Sequence, residues 1–136
     1  MHALLDPFDP NHLFEEHEHR VYGDEREGCW AVVDEEDYQW AVQWRWNPKR
    51  EPGGALYLRR SIGGGRTKWG RQPVYTLYLH VEIMKLAGTL PPSDKHVLVD
   101  HRDGDSLNCR RRNLQWVTYQ QNRLNRYGNR ALSLWG

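Results

Sequence analysis

Apolar positions in this chain fall into short runs parted by turn residues, which predicts short strands and helices. Trp30 to Val33 is a candidate strand. The acidic run Asp34-Glu35-Glu36-Asp37 ahead of YQWAVQW complements a helix dipole and predicts a helix over 35–43. Pro48 to Gly54 reads as a turn. Leu56 to Ile62 and Val74 to His80 read as paired strands around Gly63-Gly64-Gly65, a hairpin tip. His80 then opens a helical stretch, VEIMKLAG, ended by Gly88 and Pro91-Pro92.

The densest pattern comes last. His96 to Asp100 is a β-branched run, followed by a loop from Arg102 to Arg112 with turn chemistry in Asp103-Gly104-Asp105 and Asn108. Asn113 to Val117 is a second strand, with Leu114, Trp116 and Val117 as its apolar content. Thr118 with Gln121 three residues later is a capping box, so a helix starts there, with Asn122 in its first turn. Gly128 ends that helix.

Length bounds the rest: 136 residues make one domain with a modest core. Seven tryptophans fill such a core efficiently, so packing is the expected role of most. Cys29 and Cys109 stand alone without CxxC spacing, which excludes a disulfide framework and a zinc knuckle and fits a reducing cytosol. With no secretory or long apolar run, a cytoplasmic protein without a membrane span is expected.

Net charge of +1 conceals a split. Residues 1–37 hold twelve acids against Arg20 and Arg26, while the remainder holds 17 basic residues against six acids. A basic body behind an acidic front predicts a polyanionic partner for the body; a solvated charged surface is the alternative. Residues 1–29 read as an acidic extension that would suit a protein partner. Asp6-Pro7-Phe8-Asp9-Pro10 breaks regular structure there, and Leu13, Phe14, Val21 and Tyr22 offer apolar contacts to the body. His12, His17 and His19 among the glutamates read as solvated side chains in preference to a metal site. A carboxylate cluster at 34–37 is likewise the lesser alternative to a helix start. The glycine run lacks the Lys-Ser or Lys-Thr of a phosphate loop. Its flanks carry Arg59, Arg60, Arg66, Lys68 and Arg71 with Trp69, a basic hairpin suited to DNA phosphates. Arg123 and Arg126 share a helix face and suit phosphates also.

Asp100 and the Asn122 side-chain oxygen are hard ligands that suit magnesium or manganese. His101 points to the other side of the strand and suits a general base. Asn125, farther along the same helix, is the next candidate ligand.

The stretch DHRDGDSLNCRRRNLQWVTYQQN resembles the ββα-metal core of the HNH endonucleases. The likeness is to the H-N-N variant of phage and intron-encoded homing or nicking enzymes. AVVDEEDYQWAVQWRW, YLRR and LYLHVEIM resemble the segment preceding that core, so the likeness covers roughly 30–127. It implies an α+β fold: a strand, helix and basic hairpin over 30–90, the ββα core over 91–127 and a tail over 128–136. By position, Asp100 and Asn122 would hold one divalent metal, His101 would be the base and Asn113 would brace the loop. Arg110, Arg111 and Arg112 join the DNA contacts, and His80 recurs near the site in that family, although a structural histidine is an equal reading. Departures are Asn122 in place of His, Cys109 where Asn is common and Val81 where a basic residue is common.

The resemblance implies hydrolysis of a DNA phosphodiester, with a nick as the default for a single site. Two alternatives remain open: a DNA-binding or regulatory protein that keeps the HNH fold without cutting, and a structural or packaging-associated protein.

Overall fold

The structure, a computed structural model, describes residues 18–23 and 28–125. Strand β1 (His19–Tyr22) pairs antiparallel with β2 (Trp30–Val33), and helix α1 (Glu35–Ala41) follows. Only Val21 of β1 is buried, and it enters the main core. An acidic extension ending at residue 29 therefore cuts through a hairpin. Residues 1–17, most of that segment, lie outside the described residues.

Strands β3 (Asn47–Arg50), β4 (Leu56–Gly63) and β7 (Val74–Tyr78) form a three-stranded antiparallel sheet with β4 in the centre. Asn47–Arg50, where a turn is expected from Pro48, is a strand. Pro48 is tolerated because β3 is an edge, where its missing N–H breaks no inner ladder. The turn is confined to the next few residues, with the Gly54 N–H donating to the Glu51 carbonyl. Strands β5 (Arg66–Thr67) and β6 (Gly70–Arg71) extend the β4–β7 hairpin to its tip.

Helix α2 (Leu79–Leu86) buries Leu79, His80, Ile83 and Met84, the spacing of one helical face. Strands β8 (Leu98–His101) and β9 (Leu114–Val117) pair antiparallel, and helix α3 (Tyr119–Leu124) comes next. The architecture is mixed α+β, and its last elements run strand, strand, helix. The α3 capping box has both reciprocal bonds: Thr118 Oγ1 accepts from the Gln121 N–H, and Gln121 Oε1 accepts from the Thr118 N–H.

One core joins these parts: Val21, Ala31, Val33, Ala41, Trp46, Leu58, Ile83 and Leu114 pack together. Trp46 is buried whole, and its indole N–H donates to the Ala41 carbonyl at 2.8 Å, which removes the penalty of burying that polar group. No helix among the described residues is long and apolar enough to cross a membrane.

Candidate active site

Alternation along β8 sends Asp100 and His101 to opposite sides of the β8–β9 ribbon, and both are buried. On the Asp100 side, the Asn125 amide at the end of α3 donates to a carboxylate oxygen of Asp100. The Asn125 Oδ1 is buried and has no hydrogen-bond partner. Asn122 lies one turn earlier on the same helix, partly buried. The sequence-based ligand pair was Asp100 with Asn122; the amide that meets Asp100 is that of Asn125. The two amides are three positions apart on one helix face, so spacing alone gives both access to one strand.

The His101 ring sits in an aromatic enclosure. His80 lies 4.9 Å away and Tyr57 5.9 Å away, centroid to centroid, and Tyr57 stacks on His80 at 5.0 Å. Burial, and then the neighbouring His101, push the His80 imidazole well below its ordinary 6.5, so His80 is neutral. Cys109 Sγ lies 3.9 Å from His101 Nε2. Burial, with Asp105 and Asp103 nearby, pushes that thiol far up, so it stays protonated. Tyr57 opens the YLRR stretch, but its place against the two histidines is not readable from spacing, since β4 supplies it from 44 positions away.

Asn113 ties the intervening loop together. Its Nδ2 donates to Asp103 Oδ1 at 3.0 Å and to the Asn108 carbonyl at 2.8 Å, and its Oδ1 accepts from the Asp103 N–H. Burial would raise Asp103, but bonds from Asn108, the Asp105 amide and Asn113 prevail and hold its carboxyl below the usual value. The loop also docks on upstream elements. Val32 bonds to the loop through both backbone groups: its N–H donates to the Leu107 carbonyl and its carbonyl accepts from the Cys109 N–H, each at 2.8 Å. Ser106 Oγ donates to the Leu56 carbonyl at 2.6 Å and accepts from the Leu56 N–H.

The expected DNA contacts divide. Arg59 shares a face of β4 with Tyr57, the side of the site, whereas Arg60 faces the opposite way. The Arg60 guanidinium lies 4.4 Å over Trp44 and near Trp46, so it caps the tryptophan cluster. Arg111 is likewise tied to protein groups. Its guanidinium binds Asp37 and Glu36, and its backbone N–H donates to Asp34, so the acidic run at 34–37 serves this clamp as well as the α1 dipole. Arg110 reaches Asn108, while Arg112 and Arg123 are exposed. Arg66, Lys68 and Arg71 are exposed on the hairpin. Arg126 and the tail lie outside the described residues.

A hard cation suits the Asp100 side. A carboxylate and an orphaned amide oxygen are oxygen donors, and a half-turn of the Asn125 amide would aim that oxygen at Asp100, where only a cation satisfies both. No cluster of three His, Cys, Asp or Glu side chains able to hold a metal occurs among the described residues.

Compared with known families, residues 77–124 match the model described as HNH endonuclease. Neither the curated proteins nor the solved structures contain a match.

Proposed function

We propose that this protein, which carries an HNH endonuclease domain at residues 77–124, is a metal-dependent enzyme that nicks one strand of duplex DNA. The family domain implies nuclease activity on DNA. The observation that carries the finer reading is the buried Asp100-His101 pair on β8, with the orphaned Asn125 oxygen beside its carboxylate.

His101, neutral, accepts a proton from a water as the water oxygen bonds to phosphorus and the bond to the 3′ oxygen breaks. Cys109 Sγ faces Nε2, and in the tautomer that carries its proton on Nε2 the accepting nitrogen is Nδ1. The products carry a 5′-phosphate and, once solvent protonates the leaving oxygen, a 3′-hydroxyl. Asp100, with Asn122 and Asn125, would hold one divalent cation, Mg2+ or Mn2+, which would supply positive charge beside the phosphate. Asn113 keeps the loop closed around the base. Arg59, on the site face of β4, meets the backbone of the strand being cut. One site per chain engages one strand, hence a nick.

One observation favours a second reading, a DNA-binding or regulatory protein that keeps the fold without cutting. The Asn125 amide donates to a carboxylate oxygen of Asp100, so a protein group already meets the acid proposed as the metal ligand. Supercoiled plasmid incubated with the protein and Mg2+ or Mn2+ separates the two. Relaxed circles support the nuclease, and a band shift with no relaxation supports the binder. His101→Ala should lower the nicking rate by ~10²–10⁴-fold while the band shift persists.

A further inference from the structure

The hairpin from β4 to β7 keeps one register without a slip, from Arg59↔Tyr78 through Ile62↔Tyr75 to Thr67↔Gly70. Backbone bonds bridge the glycine run, with the Gly64 N–H donating to Pro73 and the Gln72 N–H to Gly65. Gly63 has φ +86°, and a Cβ there would meet the Pro73 carbonyl oxygen at 2.3 Å, so the strands cross at glycine. Edge strand β3 stops at the pair Asn47↔Arg59. Beyond Arg60, which packs on Trp44, the two strands continue without a third for seven residues, a ribbon of up to ~24 Å at ~3.4 Å per residue.

Lys68 and Trp69 are the tip. Gly70 follows at φ +109°, a backbone conformation that favours glycine. The tip is ordered by its own bonds: Thr67 Oγ1 accepts from the Trp69 N–H at 3.1 Å and from Gln72 Nε2 at 3.0 Å. Trp69 is 82% exposed, with Lys68 Nζ 4.9 Å from its ring centroid. An indole held out on this tip takes no part in the core and offers a flat apolar face to a partner. The charge of the ribbon identifies that partner. From Pro52 to Val81 there is no acidic residue, while Arg59, Arg60, Arg66, Lys68 and Arg71 are basic. A basic two-stranded ribbon fits a DNA groove, and bases are the flat apolar surfaces that lie within a cage of phosphates.

Building on the nuclease reading above, we propose that Trp69 is a wedge that stacks into an opened base step of the DNA while Arg66, Lys68 and Arg71 hold the flanking phosphates. The tip thereby anchors and distorts the duplex at a distance from the Asp100-His101 site.

The test is anisotropy binding of the full chain in EDTA to two fluorescent duplexes of one mixed sequence, one carrying a single-nucleotide bulge. A wedge must separate bases in the perfect duplex but finds the bulge already open, so wild type should prefer the bulged DNA. Trp69→Ala should erase that preference and weaken binding to the bulged duplex by roughly 5- to 150-fold, the range of one base–aromatic stack. Trp69→Phe should restore part of both. The salt slope should match between wild type and Trp69→Ala, because a stacked ring neutralises no phosphate. Equal losses on both duplexes, no loss on either, or a salt slope reduced by Trp69→Ala would each overturn the wedge. The nuclease reading is scored separately on plasmid. Nicking without a Trp69-dependent preference sinks the wedge alone, and a Trp69-dependent preference without nicking sinks the nuclease alone.

Discussion

Arg111 holds Asp37 through two bonds, Nε at 3.0 Å and Nη2 at 2.7 Å, across 74 positions of sequence. Asp37 is 1% exposed, whereas the Arg111 side chain reaches solvent at its edge. Removing the arginine strands a buried carboxylate; removing the carboxylate leaves a guanidinium that water can reach. Arg111→Gln should therefore cost about 3 kcal/mol of unfolding free energy, and Asp37→Asn less, read from urea denaturation. Equal costs would mean that Asp37 is not truly desolvated. Arg112→Gln should lower the salt slope of DNA binding by ~0.9, and Arg111→Gln should leave it unchanged.

The metal ligands can be ranked with Mn2+ titrations followed by calorimetry on uncut protein. Asp100→Ala should abolish binding, since it removes the only charged ligand proposed. Asn125→Ala and Asn122→Ala should each weaken it. An Asn122→Ala variant with wild-type affinity would leave Asp100 and Asn125 as the protein ligands, and the converse would return the role to Asn122.

The His80 imidazole makes the fold acid-sensitive. Its folded pKa lies below the unfolded 6.5, so between the two the unfolded chain binds a proton that the folded chain refuses. Stability is therefore full above ~6.5 and falls as pH drops below it. The groups facing His80 are Tyr57, Tyr78 and His101. His80→Gln removes this titration, so its Tm should fall less than that of wild type between pH 7 and 5. Identical slopes would refute the assignment. Asp103, held low, acts in a lower window, with stabilisation present above the ordinary carboxylate value and lost as pH falls through its folded value.

Charge at the N-terminus gives another expectation. Residues 1–17 carry Asp6, Asp9, Glu15 and Glu16 and no Lys or Arg, a net −4. Their deletion should strengthen non-specific DNA binding at low salt, with the gain shrinking as screening shortens to ~8 Å at physiological strength. The cut belongs before β1, because removing residues 1–29 would also remove Val21 from the core. Weaker binding at every salt would sink this expectation.

What the sequence made legible was local. Thr118 and Gln121 sit within one turn, so their capping box can be read without a fold. Asp100 and His101 are neighbours, and the strand period alone parts them. What stayed hidden depends on distance or environment. Asp34 and Asp37 read as dipole partners because Arg111 is 77 and 74 positions away from them. The β1 strand is masked by acidic neighbours and has one buried side chain. Arg59 and Arg60 look alike in a basic run until pairing with β3 and β7 sends them to opposite faces.

The loop between β8 and β9 is stitched to β2 at Val32, to Asp34 and Asp37, and to β4 at Leu56. All of these anchors precede residue 77, where the family match begins. A chain trimmed to 77–125 would keep every atom proposed for chemistry and shed each of these outside fastenings. The portable unit, for fusion to another DNA-binding domain or for transplantation into a new host protein, is therefore larger than the recognisable one and has to start no later than β1.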